Sequence, residues 1–478
     1  MSQRIGWKSA CMVFVFCAAT AGLSSAQTVS TIYTFSGPDG ELPQGLIQGT
    51  DGNYYGVTFY GGANSSCPGG ANCGTAFKIT PGGTRTTLYS FCSKAKCADG
   101  FFPVGTLVQG ADGNFYGVTG ANGTGNPGCQ ADCGTVFKLT PGGALTTLHT
   151  FNGIDGSAPN GGLVQDSYGY FYGTTSGSIF RISPTGNFTT LYRGAGPFAG
   201  LVRDEDGEMY GTTAGGGTDS SCENCGTVFE IRSSGAINML HSFSGADGAF
   251  PQAALMQAND GNLYGTTSAG GAAWPYGGGT VFRMAPGGHL VTLANLPTGS
   301  GDGDNTRAPL VEGTDGNFYG AALTDGASIC CGFLFKMTPE GTLTTLVDLS
   351  IPGTTMGPVG LFQATNGLFY GTNEGGRPCD DCNFDYGTIY SVDVGLGPFV
   401  SPQHNSGEVG FTIRILGQGL TGTTAVSFNG TPASFTVVSD TYLTAIVPAG
   451  ATTGFITVTT PGGKLKSNRK FWVNIYPG

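Results

Sequence analysis

The chain has 478 residues, 86 of them Gly, and carries a formal net charge of −11 at pH 7. Gly so far above the ~7% of average proteins here lacks the Gly-X-Y period of collagen, and apolar residues at 39% exceed what a disordered chain carries. An acidic chain with few and scattered Lys and Arg is a poor binder of nucleic acid or of anionic membrane.

The start has the form of an export signal. Arg4 and Lys8 make a basic opening, Cys11–Leu23 is apolar, and the small residues Ser24–Ala26 predict cleavage after Ala26. The apolar stretch is too short to span a bilayer, and no other run approaches the ~20 residues that spanning takes. Phe16 stands where a lipoprotein site before Cys17 would favour a small residue. Cleavage removes two positive charges and moves the net charge from −11 to −13. The expected product is secreted, cell-surface or periplasmic, with no transmembrane segment.

Next in the chain is STIYTF (Ser30–Phe35), and then a unit that repeats. The hexapeptide DGNFYG occurs at Asp112–Gly117 and again at Asp315–Gly320, with five near-copies. Their final glycines are 56, 117, 173, 211, 265, 320 and 371, at intervals of 61, 56, 38, 54, 55 and 51 residues. A period of this size marks a solenoid, a propeller or an array. Each unit reads as four short strands: a GLIQG-like run, the Asp-Gly-Asn hairpin turn, an FYGVT-like run, a GTVFKLT-like run, and after Pro-Gly-Gly a TTLYSF-like run. The seventh unit lacks its fourth strand and ends in SVDVGLGP (Ser391–Pro398), while STIYTF supplies an orphan fourth strand before the first. A linear solenoid has no use for a displaced strand; a ring does, because the leading strand completes the last blade and removes an open edge. The predicted fold is all-β, a seven-bladed β-propeller over residues 27–396 closed by its N-terminal strand.

The stretch GLIQGTDGNYYGVT…GTAFKITPGGTRTTLYSF resembles the GloVer (Gloeo/Verruco) tandem repeat of exported bacterial proteins over roughly residues 28–396. The resemblance implies a repeat propeller without an assigned chemistry. The family often ends in a surface-anchoring segment, and none is visible here. From Pro398 the pattern changes to short alternating strands at sandwich spacing. Gly417–Leu420, Phe428–Gly430 and Val447–Gly454 resemble an IPT/TIG domain, so residues 397–478 are expected to form an immunoglobulin-like β-sandwich of the spacer or adhesion kind.

Twelve cysteines follow the signal, in local pairs: Cys67/Cys73, Cys92/Cys97, Cys129/Cys133, Cys222/Cys225, Cys330/Cys331 and Cys379/Cys382. In an oxidising compartment they read as disulfides stapling Gly-rich loops, each closure contributing on the order of 2 kcal/mol. A shared zinc is excluded for the two Cys-x-x-Cys pairs, which stand three units apart in a ring, and no metal or cofactor is expected. Strand order puts the short Asp-Gly-Asn and Pro-Gly-Gly turns on one face. The Cys-bearing loops and the Asp-Gly-x-x-Pro connections fall on the other, which suggests a recognition surface.

The repeated Tyr (55, 116, 172, 210, 264, 319, 370) is expected to pack between blades. The ring of Gln48, Gln109, Gln165, Arg203, Gln257, Glu312 and Gln363 is expected to bond neighbouring backbone, and His149 and His241 to sit on a surface strand. There is no nucleophile elbow. Trp274 and Tyr276, in AAWPYGGG, are the candidate binding residues for a sugar or protein. The sequence reads as a monomeric, non-catalytic binding or structural protein for a glycan or surface protein. The alternative is a propeller hydrolase or lyase acting on extracellular or envelope polysaccharide.

Overall fold

The computed structural model describes residues 27–474 except 66, 68–71, 123–132, 195–198, 205–206, 233–234, 276, 298–307, 325–330, 349–357 and 376–385. The expectations for the signal segment with Ala26, for Tyr276, and for Cys129, Cys330, Cys379 and Cys382 lie outside the described residues. Cys331 is described only as the start of the strand Cys331–Met337.

Among the described residues there is no α-helix, and none long and apolar enough to cross a membrane. Residues 28–393 form repeated antiparallel sheets of four strands, a propeller-like arrangement. Their second strands are Tyr54–Tyr60, Phe115–Ala121, Phe171–Thr174, Met209–Thr213, Leu263–Thr266, Phe318–Thr324 and Phe369–Asn373, and the sheets are numbered here in that order. The second sheet shows the pattern: Phe101–Gln109, Phe115–Ala121, Thr135–Leu139 and Leu145–Thr150 pair consecutively. In the seventh, the outer position is held by Thr28–Thr34, antiparallel to Thr388–Asp393 from Thr28↔Asp393 to Thr34↔Thr388.

The repeated hexapeptide has a physical explanation at each letter. Gly113 takes a φ of +81°, which an L side chain resists. The backbone N–H and side-chain amide of Asn114 both donate to Asp112, closing the turn. The Tyr116 hydroxyl donates to the same carboxylate at 2.7 Å, while its ring stacks on Phe171 of the next sheet at 4.0 Å. Gly117 faces Phe137 across the ladder, and a Cβ there would stand 2.6 Å from that ring. Tyr-Gly therefore joins an interblade plate to a slot for the blade's own Phe. The plate recurs as Tyr55 on Phe115 at 4.0 Å and Tyr264 on Phe318 at 4.2 Å, the interblade packing expected from the sequence.

The seventh and first sheets meet in the same way. The Tyr54 and Tyr370 rings lie 4.4 Å apart, and Phe35 lies edge-on to Phe77 at 5.5 Å. The buried clusters straddle neighbouring sheets, as where Tyr55 and Phe91 of the first join Phe115 and Phe137 of the second. Each such ring contributes ~1.5–3 kcal/mol by leaving water.

Beyond Phe399 two sheets pack face to face. One orders Ser401–Pro402, Thr412–Leu416, Tyr442–Ile446 and Phe435–Ser439; the other orders Ser406–Gly407, Gly463–Val473, Gly454–Thr460, Ala425–Phe428 and Thr431–Ala433. Alternate residues of Gly454–Thr460 are buried, as a strand covered on one face requires. Ile413, Ile415, Phe428, Leu443, Ile456, Val458 and Phe471 form the core between the sheets.

Candidate binding site

The strands that open the sheets converge on a common cavity of about 770 Å³. Gly45 of the first sheet, Gly161 and Gly200 before the third and fourth, and Val359 of the seventh all line it. Glycine is required where these strands crowd together: a Cβ on Gly161 would lie 2.7 Å from the Cα of Gly200. The polar side chains at the cavity are Gln44, Thr106, Asn160, Gln252 and Glu374. Gln44 donates to the Glu374 carboxylate at 3.3 Å, joining the first sheet to the seventh. Exposed backbone, neutral amides and one carboxylate suit an uncharged, hydroxyl-rich ligand better than an anion.

At the far ends of the same strands, side-chain amides in the first, second and seventh sheets tie each of these to the preceding one. Gln109 accepts from the Thr50 N–H at 3.0 Å and donates to Gly113 at 3.0 Å. Gln363 accepts from Thr314 at 3.2 Å, and Gln48 from Thr365 at 3.0 Å. In the sixth sheet Glu312 takes the place of Gln and accepts from Asn259 at 2.9 Å. Burial pushes the Glu312 carboxyl up, with Asn259 and Arg469 opposing.

That end is covered by the C-terminal domain. Arg414 donates to the Gly110 carbonyl at 2.9 Å, Thr441 to Thr50 at 2.9 Å, Gln418 to Thr365 at 3.1 Å, and Arg469 to Gln257 at 3.2 Å. Lys470 grips Asn259 twice, by its ammonium to the carbonyl at 2.8 Å and by its backbone N–H to the side chain at 2.7 Å. Between the two domains, burial and the cations of Arg414 and Arg203 hold the His404 imidazole down at about 4, against the pull of Asp166. Basic side chains thus bond the carbonyls of Gly110, Gln257 and Asn259 at the short-turn end. Residues at the starts of the inner strands line the cavity at the other end.

Trp274 sits on the loop-rich face but is half-turned inward. Its backbone N–H donates to the Gly271 carbonyl at 2.9 Å, and its ring lies so close over Gly245 that a Cβ there would be 2.5 Å away. The two strand histidines are not simple surface residues: His149 pairs with Asp155 at 2.9 Å and His241 with Asp247 at 2.8 Å. Tyr89 donates to Asp99 at 2.7 Å from the equivalent position, so the Asp of Asp-Gly-x-x-Pro anchors each connection to the strand before it.

Cys67–Cys73, Cys92–Cys97 and Cys222–Cys225 are bridged, with Cα separations of 5.5, 4.1 and 5.7 Å, and Cys133 is also disulfide-bonded. The sulfurs of Cys67, Cys92 and Cys97 lie within 4.8 Å of one another, so the first two bridges pack together.

Gln44, Glu374 and the docking cations were not singled out by sequence. Glu374 occupies a position that carries no repeated letter, and the Gln of Gln44 recurs after Asp-Gly-x-x-Pro only as Gln252. The docking cations had a faint signal in the basic run around Lys464, Lys466, Arg469 and Lys470.

The Gloeobacter/Verrucomicrobia repeat matches residues 16–196 and 176–390. The chain belongs to this repeat family. An IPT/TIG domain matches residues 399–471 of this Gloeobacter/Verrucomicrobia repeat protein. No curated protein matches it. Among solved structures it is similar to a luciferin-regenerating enzyme at 13% identity and a TM-score of 0.39, covering 78% of this chain and 97% of that one. It is also similar to the extracellular domain of a hybrid two component system from B. thetaiotaomicron, at 11% identity and a TM-score of 0.47, over 93% of this chain and 59% of that one. A gluconolactonase from Xanthomonas campestris aligns at 14% identity and a TM-score of 0.36, over 61% of this chain and 84% of that one.

Proposed function

We propose that the protein is exported and non-catalytic. On this reading it is a seven-bladed propeller closed by residues 28–34, and it recognises an extracellular glycan or surface protein through its long-loop face. The observation that carries the reading is the asymmetry of the axis. One end lies beneath the immunoglobulin-like domain, and the cavity of about 770 Å³ lies at the other end, where Gln44, Asn160, Gln252 and Glu374 supply hydrogen-bonding groups. Three bridged cysteine pairs stiffen that face or its connections and fit an oxidising compartment. The C-terminal domain serves as a plug and spacer that fixes which face is presented.

A glycan array on the secreted protein tests the reading, with turnover assayed on every hit. Bound but uncleaved sugar, lost in Gln44→Ala and Glu374→Gln, is the expected result. Cleavage of a bound polysaccharide would instead assign a hydrolase or lyase. Binding that survives both substitutions but fails in Trp274→Ala would move the site from the axis to the loop of the fifth sheet.

A further inference from the structure

Among the described residues, one junction between sheets lacks a part that five others have. In five sheets the residue after the fourth strand donates its N–H to the Gly that opens the third strand of the same sheet: Phe35 to Gly387, Phe91 to Gly74, Phe151 to Gly134, Phe243 to Gly226 and Leu296 to Gly279, at 2.9–3.1 Å. All five side chains are buried. The four Phe rings meet the third-strand Phe of the next sheet edge-on, as Phe91 does Phe137 at 5.2 Å and Phe243 does Phe282 at 5.4 Å. In the third sheet the same bond is made by Gly194, to Gly177 at 3.2 Å. Phe229 of the fourth sheet therefore has no edge-on ring from that position.

The space remains. A cavity of about 190 Å³ lies between the third and fourth sheets, walled by Ile179, Tyr192, Phe229, Ile237 and Met239. Tyr192 and Met239, 38% and 52% exposed, stand at its mouth. The outer edges are spread here as well. The turn glycine Gly143 would bring a Cβ to 2.4 Å from the Leu88 carbonyl of the preceding sheet, and Gly341 to 2.5 Å from that of Leu293, whereas Gly235 of the fourth sheet has no atom within 4 Å.

We propose that this gap is a binding site for a single uncharged aromatic ring of phenol or benzyl size. The neighbouring junctions define the occupant, because each buries a phenyl or leucyl group in the same place against the same third-strand ring. An apolar cavity of about 150 Å³ is enough to hold benzene. The site is separate from the axial cavity, and it takes a hydrophobic ligand where the axis offers hydrogen bonds.

The test uses the secreted full chain and 4-fluorophenol, followed by its ¹⁹F resonance, with thermal melting in parallel. A saturable shift of the resonance and a rise in Tm with ligand are expected for the native protein. Gly194→Phe should abolish the shift and raise Tm without ligand, the Tyr192 ring swinging outward to make room. Met239→Asp, at an exposed strand position, should abolish the shift with the fold intact, which covers the case of a poorly folding Gly194→Phe. No saturable shift in the native chain overturns the proposal, as does a shift that persists in both variants. Phe198, four residues on from Gly194 in the sequence, lies outside the described residues, and a shift that emerges only in Phe198→Ala also overturns the proposal.

Discussion

At the scale of single residues, the repeat is a set of steric and hydrogen-bonding demands. Gly117 lies beneath Phe137, with room for a hydrogen only, and Gly265 beneath Phe282 with a Cβ clearance of 2.5 Å. Gly117→Ala must displace a buried ring and is expected to lower stability by ~1–3 kcal/mol, read by denaturant unfolding. A loss below a few tenths would show that the ring yields freely. His404 makes a prediction of a different kind. Its imidazole is held at about 4 in the folded protein by burial and by Arg414 and Arg203, whereas unfolded it titrates near ~6.5. The unfolded chain therefore takes up the proton first as pH falls, so stability is lost between those two values. Melting curves should show the native protein losing more Tm than His404→Gln over that window, and parallel losses would remove His404 from the account. The recurring letters were legible because sevenfold copying turns a packing rule into a visible pattern. His404 and Glu374 stand where no letter repeats, and one sequence offers no pattern to read there.

At the scale of elements, strands and turns followed from the sequence because local chemistry decides them: Asp-Gly-Asn closes a hairpin, and alternate burial marks a covered strand. What each strand meets across a blade junction did not follow. The Asp-Gly-x-x-Pro connections read from sequence only as part of the recognition face, yet Asp155 and Asp247 reach back to His149 and His241. Burial pushes the Asp247 carboxyl up, but the bonds from His241 and Ser244 outweigh it and leave it below its usual range. The stapled loops carry the prediction at this scale. Cys67 and Cys73 are six residues apart and both are buried. The double change to Ser should cost about 2 kcal/mol through the freed unfolded chain, with the Cys92–Cys97 bridge left intact. Mass mapping of the remaining bridge together with unfolding in denaturant checks this. An unchanged midpoint would mean that the packed neighbouring bridge alone holds the loop.

At the scale of the whole molecule, residues 28–35 are far in sequence from the sheet they join. Thr28–Thr34 runs along Thr388–Asp393, and Phe35 is buried against Phe77 of the first sheet. The leading strand therefore completes one sheet and seals the junction to the next. Deleting it exposes a row of unpaired backbone groups on Thr388–Asp393 and removes a buried ring worth ~1.5–3 kcal/mol. A chain beginning at residue 36 should melt well below the full protein. A synthetic peptide of residues 27–36 should restore the melting temperature in proportion to its concentration, because anything that binds only the folded form stabilises it by mass action. A peptide of the same composition with Phe35 moved to its other end should not, since the ladder would form without filling the junction. If the shortened chain melts like the full one, or if both peptides rescue equally, the strand is a passenger. The contacts between first and seventh sheets through Tyr54–Tyr370 and Gln48–Thr365 would then be what holds the two ends of the repeat together.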